Sequence, residues 1–447
     1  MFQPNDYPRA SVGQLLKALE AREVTALQLT EWALERIATD DRRLHAISRL
    51  HSAEARATAA ASDQRRATGL PAGKLEGIPL LIKDNIAVRG WSQTAGSVTL
   101  QGLVASEDAP LITRLRSEGA VLLGQTAMHE LAAGITGASS LTGYTENVFH
   151  TGYSPGGSSS GSAVAVAAGY TPLAIGTDTA GSVRIPAAFA QIYGLRPTRG
   201  QVDMQGIVPL SPTQDIAGPL VSHASDLPRI YEIMTGRALT ETTEPLSVGI
   251  VSELFDEQDP VGHQVRQALN FPATVRLTHV SYPEISHLAS EASIIAYEFS
   301  EALAGFLADR PAARYKTLSA ILDSGKHHPD LDTIFRTRAH HPGTDSDAFY
   351  QVQQRQAAFY QELVSFFSHH RINLLAYPVI SQPPVRHGQP QTGSNALISA
   401  TTGTPSLALP AGFTSCGMPT GLELLALRDR EDLLLRAASI FSPPGSL

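Results

Sequence analysis

Between Ser154 and Arg184 the chain reads SPGGSSSGSAVAVAAGYTPLAIGTDTAGSVR. Two glycine turns each carry a serine, Ser158 and Ser182, and they bracket an apolar helix-like run and a short strand-like run. Far upstream, Lys83 stands in the apolar context IPLLIKDNI. A serine hydroxyl becomes a nucleophile when a neighbour takes its proton, and a lysine can be that neighbour only when neutral. Burial favours neutrality, because desolvation lowers a lysine pKa from about 10.4 and each unit of change reflects about 1.4 kcal/mol. The constellation suits hydrolysis through a serine nucleophile.

Each residue also has a plainer reading. Lysine occurs only at Lys17, Lys74, Lys83, Lys316 and Lys326, although Lys and Arg total 34, so arginine is the ordinary surface cation. Lys83 is either a buried general base, or a structural partner of Asp84, or a strand-end lysine reaching water along its stem. Ser182 follows PLAIG in GTDTAGSVR, where Ala180 and Gly181 let backbone N–H groups crowd toward one point, as an oxyanion hole requires. Ser158 precedes the helix-like run, and taken alone it reads better as a helix cap.

Other motifs fail on their mechanics. Gly157–Gly161 matches G-x-S-x-G around Ser159, but turn-like HTGYSPGG precedes it where a nucleophile elbow needs a strand. A phosphate-binding loop needs a lysine, and none lies between Lys83 and Lys316. No S-x-x-K occurs, and His129-Glu130 has Ala133 where a zincin needs its second histidine. The doublets His327-His328, His340-His341 and His369-His370 lack a cysteine or carboxylate at ligand spacing and read as solvated.

The elements that must hold these residues are legible as periodicity. Ser11 can cap LLKALEA, Thr25 can cap the segment with LTEWALERI, and an alanine-rich helix spans Ser52 to Arg66, giving an N-terminal helical segment over residues 1–70. From Gly77 onward GIPLLIKD, AVLLGQT and PLAIGTD are short apolar runs bounded by turn residues, as expected of buried strands. Helical APLITRLRSEG lies between them and ends at a glycine suited to a helix C-terminus. This alternation predicts an α/β sheet covered by helices. From about Thr235 to Tyr350 the pattern loosens, although EASIIAYEFSEALAGFLA and DAFYQVQQRQAAFYQELVSFF read as helices, so residues 235–350 read as a variable helical cap around a substrate pocket. Strands return with INLLAYP, PSLALPAG and GLELLAL before a closing helix EDLLLRAASIF, which predicts one discontinuous core over residues 1–447.

Composition removes several function classes. A chain of 447 residues, 43% hydrophobic, can bury a large core. Net charge is −8 with no basic block, so neither nucleic acid nor an anionic membrane is an expected partner. No apolar run reaches about 18 residues and no basic-then-apolar leader opens the chain, which makes a cytoplasmic location the expectation. Cys416 is the only cysteine, excluding an intrachain disulfide framework, and it reads as a small buried apolar residue.

Taken together, these residues resemble the amidase signature family of serine amide hydrolases. The signature falls at Gly156 to Pro197, with accessory stretches GIPLLIKDNIAVRGWSQTAGS, GQTAMHELAAG, GIVPLSPTQDIAGPL and TGTPSLALPAGF, so the match covers nearly the whole chain. The resemblance implies an α/β/α sandwich built on a large twisted mixed sheet, no cofactor and no metal. It implies a nucleophile, a bridging serine beside a cis peptide bond, and a lysine, which fall on Ser182, Ser158 and Lys83. Backbone N–H groups of Thr179, Ala180, Gly181 and Ser182 would hold the oxyanion, Ser159 would hydrogen-bond the lysine, and Asp178 and Arg184 would brace the nucleophile turn.

The chain departs from the family pattern at Ala180, where relatives often carry glycine, at Ser160, and at Glu146-Asn147-Val148, where relatives often have Asn-Pro. The implied activity is hydrolysis of a small carboxylic amide to carboxylate plus ammonia or amine, with the small-molecule amide as partner; a homodimer is compatible with the sequence. Two alternatives within the resemblance are the amidase component of a tRNA-dependent amidotransferase complex, which usually carries glutamine where this chain has Ile185, and an allophanate- or urea-type hydrolase, hinted at by the Thr179–Ser182 tetrad.

Overall fold

The computed structural model describes residues 2–240, 242–256 and 258–443. Eleven strands form one mixed sheet: β1 (Ile47–Leu50), β2 (Pro79–Lys83), β3 (Val121–Thr126), β6 (Leu173–Asp178), β7 (Tyr193–Arg196), β8 (Ile216–Val221), β9 (Ser247–Val251), β10 (Arg276–Val280), β11 (Leu374–Pro378), β12 (Ser406–Phe413) and β13 (Pro419–Leu425). Two short strands, β4 (Ala138–Ser139) and β5 (Gly143–Tyr144), form a separate hairpin. The order across the sheet is β1-β3-β2-β6-β8-β7-β12-β13-β11-β9-β10. Strands β3, β2 and β6 run parallel, as do β11, β9 and β10, while β8, β7, β12 and β13 pair antiparallel between them.

Every residue of β2, β3 and β6 is buried, which explains their unbroken apolar runs: helices covering both faces of a parallel strand leave no side for water. The register Leu81↔Ala174 and Lys83↔Thr126 brings Lys83 to the C-terminal end of β2, beside the end of β6. The N-terminal helices start where their caps predict. Ser11 and Thr25 each complete a reciprocal capping box with Gln14 and Gln28, and the third helix spans Ser52–Ala67. The helix Pro110–Ser117 is followed by Gly119 at φ +82°, which turns the chain into β3.

Three readings change. The segment 235–350 is not all cap, because Ser247–Val251 and Arg276–Val280 extend the main sheet at one edge. Edge strand β10 carries Arg276, Thr278 and His279 on exposed or half-buried positions, so it lacks the apolar signature that reveals a central strand. The helix read from Glu291 begins at Ile295, with Gln214 Oε1 accepting the Ile294 N–H (3.0 Å). Cys416 is exposed in the β12–β13 connection, beside Thr414 Oγ1 (3.1 Å).

The core comprises a large cluster built on the sheet, a smaller one containing Met128, Leu131, Leu210, Phe299, Leu303 and Phe335, and a minor one of Ile294, Phe349 and Val352. The smaller cluster joins the helices Ile295–Ala308, Leu318–Asp323 and Asp332–Ala339 to the loops at the strand ends. Among the described residues no helix is long and apolar enough to cross a membrane.

Candidate active site

Lys83, at the end of β2, is fully buried, and its Nζ lies 2.7 Å from Ser158 Oγ and 2.7 Å from Thr177 Oγ1. Burial lowers its pKa to about 7, against the raising influence of the Asp178 and Asp215 carboxylates. The structural alternative, a Lys83–Asp84 contact, does not form. The Asp84 carboxylate instead accepts from Thr94 Oγ1, from Gly96 N–H and from Gln125 Nε2. Thr177 Oγ1 also accepts from Asn85 Nδ2 (3.1 Å), so a threonine at the end of β6 helps to fix the lysine tip.

The Gly157–Ser158 peptide bond is cis. Ser158 does not cap the following helix, which begins at Ser160 with Ser159 as its first flanking residue. Gly161, in that helix, passes so close to the backbone of Ala46 and Ala127 that a Cβ would lie 2.2 Å from Ala46 O, and only glycine allows this approach of the helix to β3. Ser159 Oγ donates to Thr177 O (3.1 Å) and accepts from Thr177 N–H (3.2 Å). It therefore reaches Lys83 only through Thr177, in contrast to the direct bond the resemblance implies. Ser159 lies so close to β6 that a Cβ on Gly176 would sit 2.6 Å from its Oγ. The Ser159 N–H donates to Ser182 O (3.0 Å), tying the two serine turns together.

The turn 179–183 leaves β6 after Asp178 and enters the helix Arg184–Ala190. Among the described residues, the Thr179, Ala180 and Ser182 N–H groups and Ser182 Oγ donate to no protein acceptor. The fourth N–H proposed for the oxyanion, that of Gly181, is committed elsewhere: it donates to Asp178 Oδ1 at 2.8 Å, with Gly181 at φ +107°. The expected set of four narrows to three.

Asp178 organises this turn. Its carboxylate also accepts from Val183 N–H (3.0 Å), from Arg184 Nε and Nη2 (3.0 and 2.9 Å) and from Arg196 Nη1 (3.0 Å). Burial alone would raise this carboxyl, but the Arg184 and Arg196 guanidinium groups hold it well below the usual carboxylate range. Arg184 extends the network to Glu423 on β13 at 2.5 Å. Asp178 and Arg184 thus brace the turn through a buried network that also includes Arg196, Glu423 and Asp215. Asp215 accepts from Thr179 Oγ1 and from the N–H groups of Leu210 and Ser211, and burial raises its pKa to about 6.

Thr177, Arg196, Asp215 and Glu423 carried no assignment from sequence. Their signal was present in kind, because a charge inside a strand-like apolar run, as in YGLRP or GLELLAL, must find a partner when buried. The partner was not readable, since Arg196 and Glu423 meet Asp178 and Arg184 only across the antiparallel middle of the sheet. His129, buried beside the site, donates its backbone N–H to Ser158 O (3.0 Å). Of the three histidine doublets, His327 is buried against the Phe335 ring rather than solvated. Tyr297 and Phe306 pack against His341 and Arg310, and Phe299 lies in the small core cluster.

The protein-family model described as Amidase matches residues 28–435. Indoleacetamide hydrolase of Pseudomonas savastanoi is 33% identical over 446 residues, covering 95% of this chain and 94% of its own length. Mandelamide hydrolase of Pseudomonas putida is 30% identical, covering 98% of this chain and 92% of its own length. A glutamyl-tRNA(Gln) amidotransferase component from Synechococcus sp. (strain RCC307) is 32% identical, covering 96% of each chain. Among solved structures, native peptide amidase from Stenotrophomonas maltophilia superposes with a TM-score of 0.86 at 29% identity, covering 97% of this chain and 96% of that one.

Proposed function

The chain belongs to the amidase signature family and is a serine amidase that hydrolyses carbon–nitrogen bonds in amides; on that premise we propose that Lys83, Ser158 and Ser182 carry the reaction. The observation that supports this most directly is the 2.7 Å contact between Ser158 Oγ and a buried Lys83 amine whose pKa lies near neutrality.

In the neutral state the Ser158 hydroxyl donates to Lys83 Nζ. As Ser182 Oγ attacks the amide carbon, its proton passes to Ser158 and that of Ser158 to Lys83, leaving an ammonium held by Thr177 Oγ1. The carbonyl oxygen gains the electron pair and is met by the N–H groups of Thr179, Ala180 and Ser182. Collapse of this intermediate breaks the C–N bond while the proton returns through Ser158 to the leaving nitrogen, so ammonia or an amine departs and an ester to Ser182 remains. Water then attacks that ester, deprotonated by the same relay, and releases the carboxylate. Ser159 supports the relay through Thr177, and Asp178 and Arg184 keep the turn's amides converged.

The acyl portion is proposed to enter beside Ala180, which packs against the small apolar cluster around Met128, Leu131, Leu210 and Phe299. The test is release of ammonia or amine from a panel of primary amides, anilides and ureas by wild type and Ser182→Ala, with the acyl-enzyme trapped and located by mass spectrometry. Full hydrolysis by Ser182→Ala sinks the assignment. The likeness to the glutamyl-tRNA(Gln) amidotransferase component supports a second reading, in which the same relay delivers ammonia to a partner's substrate. Hydrolysis of small amides by the isolated chain, without tRNA or any partner protein, separates the two.

A further inference from the structure

The buried guanidinium groups of the nucleophile network each sit against carboxylates: Arg184 on Asp178 and Glu423, and Arg196 on Asp178. Arg338, on the helix Asp332–Ala339, does not. Among the described residues no carboxylate lies within ion-pair distance of it. Its Nη1 donates to Ala133 O at 3.3 Å, and its guanidinium carbon lies 5.6 Å from the Phe299 ring centroid. Part of its surface remains accessible. Desolvation by these surroundings lowers its pKa to about 10. A guanidinium in an apolar setting without a counter-charge is costly, and a bound anion removes that cost.

Its neighbours lead to the Ser158 and Ser182 turns. Ala133 belongs to the segment whose Ile135 and Gly137 backbone presses on Gly157, and Gly157 precedes Ser158. Phe299, under the guanidinium, shares its cluster with Ala180 of the nucleophile turn. His129, bonded to Ser158 O, has its pKa lowered to about 3 by burial and then by the nearby charges of His328, Arg338 and Lys83. Arg338 thus brings positive charge to this side of the site, while the Glu130 carboxylate is occupied by Ser97 Oγ and by the N–H groups of Ser140 and His328.

Building on the reading of the chain as an amidase, we propose that Arg338 binds a carboxylate carried on the acyl part of the substrate, making monoamides of dicarboxylic acids the preferred substrate class. The planar guanidinium matches a carboxylate with two parallel hydrogen bonds.

The experiment compares kcat/KM for succinamate and glutaramate with that for butanamide and pentanamide, in wild type, Arg338→Gln and Arg338→Lys, alongside the thermal shift given by glutarate. Wild type is expected to favour the carboxylate-bearing amides by about tenfold or more. Arg338→Gln removes that ratio, Arg338→Lys keeps part of it, and glutarate raises the wild-type Tm but not that of Arg338→Gln. If Arg338→Gln does not fold, competitive inhibition of wild type by glutarate but not by its dimethyl ester carries the same information. Equal or better hydrolysis of the neutral amides with no glutarate shift overturns the proposal and leaves the amidase reading standing, as does a preference for aromatic acyl groups lying on the guanidinium. A glutarate shift abolished in Arg338→Gln, with no amide hydrolysed at all, overturns the amidase reading and keeps the anion site.

Discussion

The state of Lys83 gives the sharpest test of the proposed chemistry. Its pKa falls from 10.5 to about 7, a difference worth about 5 kcal/mol in favour of the neutral amine. At pH 6 about a tenth of the molecules carry the neutral base and at pH 8 about nine tenths, whereas an unperturbed lysine would offer about one in three hundred at pH 8. For an uncharged primary amide, kcat/KM is therefore expected to rise about tenfold between pH 6 and pH 8 and then level off. The assay is ammonia release at constant ionic strength from pH 5 to 9. Asp84 and Asp215, each near 6, also titrate within this range. Temperature distinguishes them, because amine ionisation carries a large enthalpy and carboxylate ionisation almost none, so only an amine limb moves on warming.

The same shift sets a stability trend of known sign. The folded pKa lies below the unfolded one, so the unfolded chain binds the extra proton between about pH 7 and 10.5. This group's contribution to stability grows as pH rises through that window and is absent below pH 7. Lys83→Met, which keeps the stem and removes the charge, is expected to lose activity by about a thousandfold while its Tm at pH 6 is no lower than that of wild type. A flat kcat/KM from pH 5.5 to 8.5, or a Lys83→Met enzyme keeping more than about a tenth of the activity, would refute the reasoning.

Ser182→Ala is expected to abolish turnover and Ser158→Ala to lower kcat by about a hundredfold or more, each with an unchanged circular dichroism spectrum and melting curve. Asp178→Asn leaves two buried guanidinium groups short of a counter-charge and keeps only one of the two oxygens that hold the Gly181 and Val183 amides, so an unfolding free energy lower by about 3–5 kcal/mol and a fall in kcat are expected. An unshifted midpoint would remove Asp178 from its central place. Gly181→Ala puts a Cβ 2.6 Å from that of Ala396 at φ +107°; a soluble variant with wild-type kcat would show that the turn tolerates what its geometry forbids.

Much of this architecture was written in periodicity. Buried parallel strands and capped helices announce themselves, so Lys83 could be set at the end of a strand and Ser182 in the turn after another before any coordinates. What escaped was whatever depends on partners distant in sequence. The edge strands β1 and β10 hide because one side of each meets water and polar residues break the apolar run. Thr177 was passed over because a threonine in a strand is ordinary until a lysine is seen against it. The commitment of the Gly181 amide was invisible because composition shows that a turn can crowd its N–H groups, not which of them a neighbouring carboxylate takes. Cys416 was misread because burial statistics describe residue types, and this one falls in a tight connection.

The network around Asp178 also governs when the protein can become an enzyme during its synthesis. The carboxylate that holds the Ser182 turn is matched by Arg184 and Arg196, and Arg184 is matched in turn by Glu423 on β13, 239 residues further along the chain. The β12–β13 pair carrying Glu423 also completes the middle of the sheet beside β7. A ribosome that has delivered both serines and the lysine has therefore made every group proposed to react, but not the partners that brace the Ser182 turn. Hydrolysis is expected to be silent in nascent chains arrested before β13 and to switch on once that strand clears the exit tunnel.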